Sequence, residues 1–351
     1  MQKVHRKFAK INPLLRLFRD PISEIPRRHT PLRIANTLRL QLSRRLRRPR
    51  CWGYPYTILI EPTNACNLRC PLCPTGMGIM TRKVGMMDFS NFTSLVDEMA
   101  PYLYVVNLAN LGEPLLHPRI FDMIEYLAYK NVSPIISTNA HFINPENIPN
   151  IVQSGLEKLE ISIDGVSQQT YSKYHRRGDF NQVMENISAL CSAKRGKATP
   201  HIALGFILMR HNESEVAEFF RLAEGVGADS VYLVQVSIPH YRQWTLDEAR
   251  EYLPQNLEYS RFREGAWGVE LAKPRPPGYP CVWAFTRTVV NWDGRVAPCC
   301  VDYDNIHDFG NAFREGLKNI WNNDKYVAFR RKLLAELNQT PVCSNCSANI
   351  Y

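Results

Sequence analysis

The run EPTNACNLRCPLCPTG, residues 61–76, sets Cys66, Cys70 and Cys73 in a C-x3-C-x2-C spacing. Thiolates are soft ligands of the kind that zinc and iron–sulfur clusters select. A structural zinc takes four protein ligands, and a cubic iron–sulfur cluster normally takes four thiolates. Three cysteines on one short loop therefore leave one metal position for something else. A zinc ion completed by a distant residue is one outcome, and a cluster with an open iron is the other. The remaining cysteines group as Cys281, Cys299/Cys300 and Cys343/Cys346, with Cys51 and Cys191 apart. Reducing compartments do not maintain disulfide frameworks, so such grouping reads as metal or cluster ligation. Cys191, inside a helical pattern, reads as a small buried apolar residue.

These thiols need elements to position them. Short β-branched runs alternate with helical patterns from about residue 56 to 236. The strand candidates are 56–62, 104–110, 133–138, 158–164, 201–208 and 230–236, and helical patterns cover 91–103, 118–131, 146–155, 179–194 and 213–227. Repeated strand–helix units predict a parallel sheet with right-handed crossovers. Six strands are too few for a closed eight-stranded barrel, so the expected fold is α/β, a partial (β/α)6 TIM-like barrel. A flat doubly wound sheet shares that periodicity. In parallel barrels the working loops follow the strand C-termini. The three-cysteine loop, NLGEP, STNA and SIDG each follow one of the first four strands and so converge on one mouth.

Residues 237–280 show little β pattern and end in KPRPPGYP, which reads as a bridge. Residues 281–351 then form a small α+β module. Its hairpin candidate, TRTVVNWDGRVAP, turns at Asp293-Gly294, and a helical pattern at 325–338 precedes the closing cysteines. The expected division is an arm (1–50), a core (51–236), a bridge (237–280) and this module.

Apolar content of 45% and charged content of 22% are ordinary for a globular chain. No apolar run approaches the ~18–20 residues of a membrane span, and the start lacks the order of a secretory signal. A cytoplasmic protein is expected. The net charge of +10 is uneven: residues 1–50 carry 15 Lys+Arg against Asp20 and Glu24, a net of +13. The other 301 residues, with 28 basic and 31 acidic, carry −3. The arm reads as a solvated helical extension packed on the body. Its charge also suits an acidic partner or, through Leu14, Leu15, Leu17 and Phe18, peripheral contact with a membrane.

With the three-cysteine loop on a barrel mouth, residues 54–350 resemble the radical S-adenosylmethionine enzymes. In that family three cysteines hold a 4Fe-4S cluster, and the amino and carboxylate groups of S-adenosylmethionine chelate the fourth iron. The sulfonium is then cleaved to methionine and a 5′-deoxyadenosyl radical, which removes hydrogen from a substrate. The resemblance makes Cys66, Cys70 and Cys73 the cluster ligands. The family's Gly-Gly-Glu motif, which receives the amino group, stands here as Leu111-Gly112-Glu113. Its first Gly is lost, but backbone carbonyls and the Glu make the contact, so binding is expected to survive. Ser137 and Asn139 resemble the ribose and carboxylate contacts after the third strand, and Ser162 and Asn212 polar contacts after the fourth and fifth.

Cys281, Gly294 and Cys299 follow the spacing of the SPASM module, and Cys343-x2-Cys346 follows later. Only five residues come after Cys346. The match is therefore to the shorter twitch form, with a second, auxiliary 4Fe-4S cluster held by Cys281, Cys299, Cys343 and Cys346. Cys300 is the adjacent alternative to Cys299, and a zinc knuckle uses the same thiolates. A fully ligated cluster exchanges electrons, so the resemblance implies a two-electron oxidation of a small polyol, sugar or cyclitol-like substrate. Glu61, His240 and Arg176 are candidates for the catalytic groups by position. Arg176 is also a candidate substrate clamp. A reducing protein such as flavodoxin or ferredoxin is the expected electron donor. Peptide maturation and lipid modification are the alternative chemistries, and a non-catalytic iron–sulfur or zinc scaffold the alternative class.

Overall fold

The computed structural model describes residues 28–240, 243–265, 268–272 and 280–346. Leu14, Leu15, Leu17, Phe18 and most of KPRPPGYP lie outside the described residues. Helix α1 (Pro31–Arg45) precedes strand β1 (Thr57–Ile60), which runs into the cysteine loop and short helix α2 (Pro74–Met77). There follow α3 (Phe89–Met99), β2 (Val105–Leu108), α4 (Ile120–Tyr129), β3 (Ser133–Thr138), α5 (Ile148–Gln153) and β4 (Lys158–Ser162). Helices α6 (Gln168–Tyr174) and α7 (Phe180–Lys194) lead to β5 (His201–Leu208), α8 (Val216–Val226) and β6 (Ser230–Gln235). Polar side chains start these helices: Asp88 accepts from the Ser90 and Asn91 amides, and Asp179 from the Gln182 amide. Gly227 ends α8 at φ +80°, a left-handed position that glycine takes without strain.

Strands β1 to β6 pair in parallel and in sequence order, as the alternating pattern predicts. The sheet is open, as in a partial barrel, and its apolar residues, among them Ile58, Val106, Ile136, Leu159 and Leu204, form the main core. The expected six strands become eight. The Asp293-Gly294 hairpin forms β9 (Arg287–Val290) and β10 (Val296–Ala297), with Gly294 at φ +86°. Strand β9 pairs in parallel with β1, Thr57 opposite Arg287 and Ile60 opposite Val290. The hairpin is thus hydrogen-bonded into the barrel sheet, beside the strand that carries the cysteine loop.

The bridge also holds more structure than its sequence suggests. Helix α9 (Leu246–Arg250) precedes the antiparallel pair β7 (Phe262–Gly265) and β8 (Gly268–Leu271). Charged residues fill much of these strands, which hides the period of two. Arg250 grips Glu264 through both carboxylate oxygens at 2.9 and 3.0 Å. A second apolar cluster joins Val236, Ile238, Tyr252, Leu253, Phe262 and Val269 to Met209 and to Leu72 of the cysteine loop.

After β10 come α11 (Ala312–Glu315), α12 (Leu317–Trp321) and α13 (Asp324–Ala335). Glu98 of α3 accepts from the Leu317 and Lys318 amides at 2.8 and 2.9 Å, capping α12 from the barrel side. Trp321 donates to the Gly53 carbonyl, and Asn322 exchanges two hydrogen bonds with the backbone of Cys51. Cys51 thus lies buried at the seam between the first strand and the C-terminal helices. Cys191 is buried on α7, as expected. No helix among the described residues is long and apolar enough to cross a membrane.

Arg330 of α13 ties this seam together. It is fully buried and lies 4.1 Å from the Trp321 ring and 4.0 Å from that of Tyr326. It donates to the carbonyls of Ala284 at 2.7 Å, Trp321 at 2.8 Å and Pro49 at 3.2 Å. Truncation orphans those carbonyls and opens a cavity, so Arg330→Ala is expected to cost about 3 kcal/mol in urea unfolding. Arg330→Lys recovers less than half, because an ammonium lacks the planar fork. A change under about 0.5 kcal/mol for the alanine variant contradicts this role.

Candidate active site and cluster sites

The cysteine loop leaves β1 at the C-terminal edge of the sheet and folds back on itself. The Cys73 amide donates to the Cys70 carbonyl at 3.2 Å, and Cys73 leads into α2. Gly76 packs so closely that a Cβ there falls 2.3 Å from the Cys70 carbonyl oxygen. Arg69 reaches back to the Cys66 and Leu68 carbonyls, while its amide donates to Arg176. Burial pushes the Cys66 thiol up to about 11, with Glu113 and Cys73 adding to the effect. Cys70 lies well above the ordinary thiol range, through burial first and then charge on Cys73, Cys66 and Asp164. Crowded thiols of this kind release their protons to solvent when a metal centre binds and compensates the thiolate charge, so the donor set fits a metal cluster.

Glu113 is buried under the same loop. A Cβ on Gly112 falls 2.1 Å from the Thr63 carbonyl oxygen, so glycine lets the turn lie against the loop, and the Glu113 amide donates to Ala65 at 2.8 Å. Leu111, the departure from the family motif, offers its carbonyl to the Thr75 hydroxyl. The Glu113 carboxylate accepts from the Asn139 amide at 2.8 Å, the Thr138 hydroxyl at 2.7 Å and the Leu115 amide at 3.1 Å. Burial nevertheless pushes its carboxyl up to about 7. Asn139 reaches the loop directly, with Nδ2 at 2.8 Å from Asn67 Oδ1 and 3.9 Å from Cys66 Sγ. Ser137 donates to Glu160 at 3.0 Å, and Ser162 closes β4 half-buried. Asn212 lies at the loop after β5, where the sequence places it. It is buried, and its amide is committed to Met209 N, Asp164 O and Ile207 O, which pins the loop after β5 to that after β4.

The three catalytic candidates do not come together as a set. Glu61 is fully buried and held by both terminal nitrogens of Arg82 at 2.8 Å, with Asn110 donating at 3.0 Å. Both of its oxygens are thus committed to an ion pair, and one to a further hydrogen bond. Arg82 also donates through Nε to the Tyr303 carbonyl at 2.6 Å, and His240 Nε2 lies 2.7 Å from the Tyr303 hydroxyl. Glu61 and His240 therefore belong to one network that joins the cysteine loop's return to the loop after β10. Arg176 is exposed, with its carbonyl accepting from the Arg69 amide of the cysteine loop at 3.1 Å.

His175 escaped the sequence reading. Its Nδ1 lies 3.8 Å from Cys70 Sγ and its Nε2 2.9 Å from Asp164 Oδ2, and its ring stacks on Tyr171 at 4.6 Å. Asp164 belongs to the SIDG stretch, but nothing local marks its partner. Arg82 was equally hidden.

The C-terminal cysteines gather from separate stretches. Cys281 precedes helix α10 (Val282–Thr286), Cys299 and Cys300 follow β10, and Cys343 and Cys346 lie beyond α13. Burial raises the Cys299 thiol far above its ordinary range, followed by charge on Cys300, Cys346, Cys343 and Cys281. Burial pushes the Cys300 thiol up to about 11, with charge on Cys346 adding to the effect. Cys299 interacts with Cys300, Cys346, Cys343 and Cys281, and thiols of this kind are the ligands that cluster and zinc sites use.

Comparison with known proteins matches two families. The Radical SAM superfamily matches residues 60–223, and the SPASM iron–sulfur cluster-binding domain matches residues 281–347. The tungsten-containing aldehyde ferredoxin oxidoreductase cofactor-modifying protein of Pyrococcus furiosus is 23% identical over 314 residues, 83% of this chain and 86% of that one. The PqqA peptide cyclase of Gluconobacter oxydans is 25% identical over 285 residues, 76% of each. Among solved structures, BtrN in complex with AdoMet and 2-DOIA superposes at TM-score 0.52 and 18% identity, covering 85% of this chain and 94% of that one. Streptococcus suis SuiB bound to precursor peptide SuiA does so at 0.62 and 11%, covering 90% and 74%. At these identities the structural likeness is one of fold. The chain belongs to the radical S-adenosylmethionine superfamily and carries a SPASM domain, with 4Fe-4S clusters and S-adenosylmethionine as its cofactors.

Proposed function

We propose that Cys66, Cys70 and Cys73 hold a 4Fe-4S cluster whose fourth iron is left to S-adenosylmethionine. Cys281, Cys299, Cys343 and Cys346 hold a second cluster that accepts an electron, and the chain oxidises a small polyol, sugar or cyclitol-like molecule by two electrons. The core, bridge and cluster module follow the boundaries 51–236, 237–280 and 281–351. When bound, the first cluster and S-adenosylmethionine supply removal of a hydrogen atom from an unactivated carbon, which side-chain acids and bases do not reach. The observation that carries the reading is the match of the SPASM iron–sulfur cluster-binding domain to residues 281–347, a stretch that contains all four cysteines. A saturated set leaves no iron for substrate and suits electron transfer instead. The pairing of β9 with β1 supports it, because one sheet fastens both cysteine sites.

The chain's own residues do the positioning. Glu113 receives the amino group, held in place by Asn139, Thr138 and Leu115. Ser137, Asn139 and Ser162 line the ends of β3 and β4 for the rest of the nucleotide. For the substrate's hydroxyl proton, His240 is favoured over Glu61, which Arg82 holds, and over Arg176, whose guanidinium is no base. A flavodoxin or ferredoxin supplies the reducing electron. A peptide substrate is the second reading, favoured by the PqqA peptide cyclase among the relatives.

Two outcomes test the assignment. Anaerobic reconstitution is expected to give about eight irons per chain in the parent and in Cys300→Ala, and about four in Cys299→Ala, by the four-iron count of each cluster. Eight irons in Cys299→Ala contradict the ligand set. The second test is pH. Because burial raises the Glu113 carboxyl to about 7, its carboxylate form is lost as pH falls through that value. The advantage of the parent over Glu113→Gln in S-adenosylmethionine affinity, read by calorimetry, should therefore shrink about tenfold between pH 8 and pH 6. A constant ratio removes Glu113 from the contact.

A further inference from the structure

Helix α1 faces the wrong way for a soluble surface helix. An amphipathic helix normally turns its apolar stripe to the core. Here Arg33, Asn36 and Ser43, each at most 3% exposed, point inward, with Leu40 as the one fully buried leucine. Hydrogen bonds do the docking. Asn36 exchanges two with the Tyr54 backbone at 2.8 Å, Arg33 donates to the Ala100 carbonyl at 3.0 Å, and Ser43 accepts from the Trp52 amide at 2.9 Å. Gly53 permits the approach, since a Cβ there falls 2.8 Å from the Asn36 carbonyl oxygen.

The outer face is apolar. Leu32, Ile34, Leu38, Leu42 and Leu46 are each 44–55% exposed, and the last four recur every fourth residue, so they form one row along the helix. Trp52, 45% exposed, follows α1 in the chain and has the Arg48 guanidinium 4.8 Å from its ring. Arginines are interleaved: Arg39, Arg45, Arg47 and Arg48 are exposed and have no carboxylate partner among the described residues. Residues 28–53 contain eight arginines and no Asp or Glu.

We infer that the outer face of α1, with Trp52, is a docking surface for an anionic lipid bilayer. Leucines with arginines set among them suit the boundary between acyl chains and phosphate headgroups, where an aromatic edge also sits well. Charge argues against the other covers. A second copy brings one arginine-rich face against another, and residues 1–27, with seven Lys+Arg and two acids, carry the same sign. An acidic polypeptide satisfies the arginines but not a continuous aliphatic row. The inference is independent of the reaction assigned to the barrel.

The test is sedimentation of the full-length, anaerobically purified protein with phosphatidylcholine vesicles, with and without phosphatidylglycerol. The parent should pellet with the anionic vesicles, weakly with the neutral ones, and less as salt rises. Leu38→Ser/Leu42→Ser/Leu46→Ser should lower anionic-vesicle partitioning at least about tenfold while keeping the parent's iron content, because these side chains face outward. Equal pelleting of parent and triple variant overturns the inference. So does absence of binding to anionic vesicles, whether the same substitutions instead abolish a dimer or abolish binding to a polyglutamate peptide.

Discussion

Negative charge on Cys70 is unfavourable in this loop without a cation beside it. Burial, the neighbouring thiols of Cys73 and Cys66, and Asp164 all act against ionisation. The fold nevertheless holds the three cysteines together, through Gly76 pressed on the Cys70 backbone and Leu72 anchored in the second apolar cluster. Such a loop is costly as a set of bare thiolates and suited to a metal centre whose positive charge compensates them. The Glu113 carboxyl repeats the logic at a neighbouring position: buried, supplied with three donors, and still short of a cation. Together they form a site that asks for positive charge.

Strand β1 brings this chemistry into register with the rest. It pairs with β2, which leads to Glu113, and with β9, which leads through β10 to Cys299. Arg82 then joins Glu61, at the end of the β1 segment, to the Tyr303 carbonyl in the loop beyond Cys299 and Cys300. The stretches that carry the two cysteine sites are therefore joined by one strand pair and one buried ion pair. The Arg330 and Glu98 contacts reinforce that coupling from behind.

The sequence made the parts with local signals legible. Runs such as TILI and KLEIS announce strands by composition, the cysteine loop announces itself by spacing, and Leu111-Gly112-Glu113 stands out through its resemblance to the family motif. What stayed hidden depends on long-range pairing. The Asp293-Gly294 turn predicts a hairpin but not that β9 lies against β1, more than 200 residues earlier. Likewise, nothing near Glu61 marks Arg82 as its partner, and nothing near Cys70 marks His175. The bridge misled because Arg263, Glu264 and Glu270 mask its short strands. In α1 a helix was foreseeable, with Thr30 as its N-cap and Pro31 in the first turn. That its polar residues face inward follows only from the backbone they meet at Tyr54 and Ala100.

The most direct measurement is electron paramagnetic resonance of a Cys281→Ala/Cys299→Ala variant, reduced so that the cluster on the barrel loop alone gives the signal. If one iron there lacks a protein ligand, adding S-adenosylmethionine changes the spectrum of that cluster. A spectrum that stays the same while binding is verified independently would mean that the corner is already filled, and the account of the site would fail.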